Sequence, residues 1–111
     1  MAQSTEEHFQ GLIFESKRDY ISLALVIASA NIASDAAPAL GRMERTLAFL
    51  GRLLDHGFEA VDLRSDGGCT PWPDQGKVSI LRRIEQEWRA RADDEPLLGM
   101  MFWFNLPESR R

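Results

Sequence analysis

The sequence contains a single cysteine, Cys69, among its 111 residues. One cysteine cannot close an internal disulfide, which favours a reducing compartment. A chain of this length forms one domain, and it can bury a core without the help of disulfides or metal ions. We therefore expect a single helical domain over residues 1–111, located in the cytoplasm.

The sequence also lacks a hydrophobic run long enough to cross a membrane. Residues 20–33 carry no charge and would form a helix of about 21 Å, whereas a bilayer core is about 30 Å thick. Lys17, Arg18 and the small residues Ala28-Ser29-Ala30 are features of a signal peptide. A signal peptide is nevertheless not expected, because the region before residues 20–33 contains four acidic residues: Glu6, Glu7, Glu15 and Asp19. We expect no membrane association.

No motif of a catalytic or cofactor site occurs, neither a glycine-rich phosphate loop nor a nucleophile elbow. His56 and Glu59 have metal-ligand character, but Gly57 between them breaks the helix on which they would share a face. His8 lies far away in sequence, and Cys69 has no cysteine-protease signature around it. The sequence therefore predicts no enzymatic activity, no metal and no cofactor.

The main feature that is present is the apolar stretch at 20–33. A helix that is apolar on nearly every side has to be surrounded by the rest of the protein. We predict a buried central helix over these residues, with Ser16 as its N-cap. A first helix should begin at Ser4 or Thr5 and turn Phe9, Leu12 and Ile13 inward.

Two further helices follow from periodicity. The first should begin at Ser34-Asp35 and end at Gly57, and the second should run from Gln75 or Lys77 to Ala92. The inner positions of the first are predicted to be Leu40, Met43, Leu47, Leu50 and Leu54, flanked by Phe49 and Leu53. Those of the second are predicted to be Val78, Leu81, Ile84, Trp88 and Ala92.

Alternation of apolar and polar residues predicts a strand at 58–64. The aromatics at 102–104 favour a second strand at 98–104, although the apolar run at 97–104 is also compatible with a helix. Residues 65–76 read as an irregular loop, rich in glycine and proline. The predicted fold class is mainly α, with four to five helices around the buried helix (20–33) and a small two-stranded element pairing 58–64 with 98–104.

Acidic residues recur in two clusters, which pairing of the two strands would bring near one another. Trp72, between two prolines, is predicted to be a rigid exposed aromatic of the kind enriched at binding hot spots. The candidate partner-binding residues are Asp55, Glu59, Asp62, Asp66, Trp72, Asp93, Asp94 and Glu95. The alternative is that these acids are ordinary surface residues and helix stops.

Direct nucleic-acid binding is not expected, because the net charge is −4 and such binding depends on cationic contacts to phosphate. The fourth helix carries several arginines, but Glu85 and Glu87 stand beside them, and a salt-bridged solvated face is the better interpretation.

The order of these features resembles that of small bacterial immunity proteins of contact-dependent growth inhibition and related polymorphic toxin systems. The resemblance covers about residues 40 to 105: a Leu53-Leu54 helix end at Gly57, a short strand, a Gly/Pro loop, Glu87-Trp88, an acidic break, and Phe102-Trp103-Phe104. It implies a cytoplasmic inhibitor that binds one cognate toxin domain, commonly a basic nuclease. We expect the chain to be a monomer or one half of a 1:1 heterodimer. The alternative is an adaptor or regulatory subunit that packs its aromatic C-terminal run against a larger protein.

Overall fold

The computed structural model describes residues 3–107, which form five helices and a small four-stranded antiparallel sheet. The helices are α1 (Thr5–Glu15), α2 (Leu23–Ile32), α3 (Arg42–Asp55), α4 (Lys77–Ala90) and α5 (Glu95–Met101). The strands are β1 (Ile21–Ser22), β2 (Glu59–Leu63), β3 (Cys69–Pro71) and β4 (Trp103–Asn105). The predicted mainly α fold class is confirmed.

Helix α1 begins where its capping signal lies. The Ser4 hydroxyl accepts from the Glu7 backbone N–H, and the Glu7 carboxylate accepts from the Ser4 N–H, which forms a capping box. Phe9 and Leu12 are buried as predicted.

The central helix is shorter than predicted. Residues Ile21 and Ser22 form strand β1 instead of a helical turn, and the Ser22 side chain caps α2 by accepting from the Leu25 N–H. The predicted cap at Ser16 and the predicted helical start at 20 are therefore wrong. Helix α2 is buried along most of its surface, but Leu25 and Ile32 face solvent, so it is not surrounded on every side.

The predicted start of the third helix is also wrong, since α3 begins after Gly41. Asp35 contacts the start of α1 instead: its carboxylate accepts hydrogen bonds from the backbone N–H and the hydroxyl of Thr5, at 2.6 and 2.7 Å. These bonds lower the pKa of Asp35 from its ordinary value. The buried face of α3 is also rotated from the predicted stripe, and Leu40 is exposed. The side chains on that face are Thr46, Phe49, Leu50 and Leu53.

Helices α4 and α5 also differ from the predictions. Helix α4 buries Ile80, Ile84 and Trp88, while the predicted inner residue Val78 is 66 % exposed. Residues 95–101 are helical, with Asp94 as N-cap and Pro96 in the first turn. The strand interpretation of 98–104 is therefore wrong for its first half.

The sheet has the order β1-β4-β2-β3, so β4 lies between the first and second strands. Pairing of 58–64 with the C-terminal run is confirmed, in the register Ala60 opposite Phe104. The element has four strands instead of two, because Ile21 pairs with Phe104 on the other side and Cys69–Pro71 adds a hairpin strand. The loop predicted at 65–76 therefore contains regular structure.

Helix α5 packs directly on α2 at Gly99. A methyl group at this position would lie 2.7 Å from the Ala24 Cβ and 3.0 Å from its Cα. We expect Gly99→Ala to lower the free energy of unfolding by about 1–3 kcal/mol, the usual cost of overpacking. Gly11→Ala is the matched control, since no atom lies within 4 Å of the added methyl. That control should gain about 0.5–1 kcal/mol of stability from helix propensity. Urea denaturation measures both, and equal stabilities would contradict the close contact.

Candidate functional site

The first predicted acidic cluster lies at the end of the molecule where α3 finishes and the β2–β3 hairpin projects. Asp55 pairs with Lys77 at the start of α4, with 2.9 Å between Oδ2 and Nζ. Asp66 accepts from the Gly68 N–H at 2.9 Å and from Arg64 Nε at 3.2 Å, and these two contacts, the first above all, lower the pKa of Asp66. Both carboxylates therefore have partners within the chain.

Glu59 and Asp62 lie on opposite faces of β2, because successive side chains of a strand alternate. Asp62 accepts from the Trp72 indole Nε1 at 3.1 Å. The Glu59 side chain has no hydrogen-bond or ion-pair partner within residues 3–107. The acidic side chains on β2 therefore project from opposite faces of the sheet.

Trp72 is not the exposed aromatic that the sequence predicts. Its side chain is only 7 % exposed and packs edge-on against Phe102, with ring centroids 5.8 Å apart. The Arg83 guanidinium covers the indole at 4.1 Å from the ring centroid. The cause is the hairpin: the Trp72 N–H donates to the Ala60 carbonyl, which carries the indole under α4. Trp72 therefore belongs to the core.

The second predicted cluster lies at the start of α5. Asp94 caps the helix by accepting from the Leu97 N–H, and Glu95 forms two bonds with Arg42 at 2.6 and 3.0 Å. Asp93 is exposed and has no partner in the described part of the chain.

The prediction that the two acidic clusters lie near one another is wrong. Glu95 is paired with Arg42, the first residue of α3, whereas Asp55 is the last residue of the same helix. A helix of 14 residues is about 20 Å long, so the clusters lie near its two ends.

Several basic residues on and beside α4 are paired with acids of the chain. Arg89 pairs with Glu85, and Arg91 pairs with Glu87, each four residues apart along the helix. Lys77 is held by Asp55, and Arg83 lies on Trp72. This arrangement supports the interpretation of α4 as a salt-bridged face.

The open edges of the sheet are unsuited to accepting a further strand. On β3, Pro71 has no N–H to donate, and the Cys69 carbonyl accepts from Arg64 Nη1 at 3.1 Å. Strand β1 at the opposite edge has only two residues. Recognition of a partner by strand addition is therefore disfavoured.

Helix α5 has an apolar outer face that the sequence did not predict. On α5, Leu97 is 51 % and Met100 56 % exposed, and Met101 lies beside them. The signal was present, because 96–101 is apolar throughout and a helix there has to direct some of those side chains outward.

The described residues offer little chemistry for a small ligand or a metal. No three potential ligands among His, Cys, Asp and Glu converge within 3–107. Clefts of about 210 and 300 Å³ lie at or below the lower end of the range for ligand pockets. The second is bordered by the Trp72–Arg83 contact.

No protein family, curated protein or solved structure matches this chain. None of the helices described is long and apolar enough to span a bilayer.

The Trp72–Asp62 hydrogen bond should contribute to stability, because its loss leaves the indole N–H of a buried side chain without an acceptor. We expect Asp62→Ala to cost about 1 kcal/mol of unfolding free energy, and Glu59→Ala, on the same strand, to cost close to zero. Thermal unfolding monitored by tryptophan fluorescence measures both variants. Equal losses for the two would show that the bond does not hold the hairpin.

Proposed function

We propose that this protein is an immunity protein that binds and neutralises a cognate toxin domain, a basic nuclease. The observation that carries the proposal is the placement of its negative charge. None of the acidic side chains in residues 3–107 is buried, so the excess behind the net charge of −4 faces solvent. The likeness of residues 40 to 105 to polymorphic-toxin immunity proteins supplies the class of partner.

The mechanism is occlusion of the nuclease's substrate-binding surface. A nuclease surface is basic because its substrate is a polyanion, and exposed carboxylates take the positions of phosphates. Of the seven candidate acids, Glu59 and Asp93 are best suited to this, since theirs are the two side chains without a partner in the part of the chain described. Close charge pairs contribute about 1.5–7 kcal/mol of coupling energy in another toxin–inhibitor complex.

Co-expression tests the proposal directly. Cells that express the toxin domain encoded immediately upstream should survive when this protein is present, because the active surface of the toxin is covered. Colony counts with and without this protein measure the effect. Death at the same rate in both cases would refute the proposal.

The electrostatic part of the mechanism has its own test. The association rate of the two purified proteins should fall several-fold as ionic strength rises from about 0.05 to about 0.5 M, because salt screens the attraction between acidic and basic surfaces. Stopped-flow fluorescence measures this rate. A rate independent of salt would remove the carboxylates from the mechanism.

The second candidate function is an adaptor or regulatory subunit on a larger protein, and the exposed apolar side of α5 favours it. The predicted aromatic run itself is not available, since Phe102 and Phe104 are buried. The neighbouring gene distinguishes the two candidates: it encodes an enzyme or regulator for an adaptor, and the end of a long secreted toxin for an immunity protein.

A further inference from the structure

Exposed apolar side chains lie on two helices that pack against each other, and we call the two sets together the α2–α5 face. On α5, Leu97, Met100 and Met101 are spaced at three and four residues and therefore lie on one side of the helix. On α2, Leu25 and Ile32 are two turns apart, and both are exposed.

Helix α5 approaches α2 closely at Gly99, where the next atoms belong to Ala24. Leu25 follows Ala24 directly in the chain. A cleft of about 120 Å³ lies between the helices, and the Arg42–Glu95 ion pair is part of its lining. At the other end of α5, the Trp103 indole donates to the Met100 carbonyl at 3.0 Å, which places a half-buried aromatic beside the methionines.

Charged side chains are absent from α2, and α5 carries one only at its first residue, Glu95. Helix α2 and the residues from Ile21 to Ser34 carry no charged side chain. Asp93, Asp94 and Glu95 stand immediately before the apolar residues of α5, and Arg42 is the one basic residue joined to them by an ion pair. The face therefore has an apolar centre and a net acidic border, the layout of a protein-binding patch with a polar rim.

We infer that the α2–α5 face is the docking surface for the toxin domain, and this inference rests on the proposed function. The occupant it fits is a protein surface with an apolar recess bordered by lysine or arginine. Charge complementarity selects this occupant over a second copy of the chain. Two copies would bring two acidic borders and two net charges of −4 together.

The test is binding of the purified toxin domain, made catalytically inactive, to variants of this protein. Met100→Asp places a charge at the apolar centre and should weaken the Kd by about 30-fold or more, the effect typical of a central contact. Val78→Asp is the matched control, because Val78 is also exposed but lies on α4, and it should change the Kd by less than about twofold. Asp93→Lys should slow association.

Circular dichroism confirms that each variant is folded, and Leu97→Asp replaces Met100→Asp if that variant is not. Loss of binding for the α5 variant alone supports the inference. Wild-type affinity in the folded α5 variant overturns the inference and leaves the proposed function standing. No binding by the wild-type protein, together with no protection of cells, overturns both. A wild-type dimer in sedimentation that Met100→Asp dissociates assigns the face to a second copy and overturns the inference.

Discussion

The packing of Phe104 at the centre of the sheet is the contact on which the rest of the structure depends. It lies between Ile21 on one neighbouring strand and Ala60 on the other, and all three side chains are buried. Strand β4 thereby joins the entry to α2, the strand that follows α3, and the exit from α5. These segments are far apart in sequence, and their pairing with this one strand fixes where they lie relative to one another.

Local signals in the sequence predicted those elements that local interactions determine. The Ser4 cap, the helix end at Gly57 and the strand at 59–63 follow from capping, a positive φ of 112° and alternation. The predictions that were wrong concern elements that depend on tertiary contacts. Ile21 is in a strand and not in the helix because it pairs with Phe104. The apolar run at 97–101 shows no periodicity that would distinguish a strand from a helix.

The candidate site could be predicted only as a set of residue types. The abundance of acids is visible in the sequence, whereas their partners, such as Lys77 for Asp55, are not. Trp72 was misplaced because its environment depends on the hairpin bond to Ala60. The apolar side of α5 could not be recognised until 95–101 was known to be helical. In the folded protein Trp72 is therefore buried, and the exposed apolar surface lies on α5 instead.

The account holds that the same fold that buries Trp72 presents α5 and the exposed side of α2 to a toxin domain. Chemical-shift mapping of the isotope-labelled protein, titrated with inactive toxin domain, tests this most directly. The account predicts that backbone resonances at 25–32, 59 and 93–103 shift or broaden while those of the β2–β3 hairpin tip stay unchanged. Shifts confined to the hairpin, or none at saturating toxin domain, would contradict it.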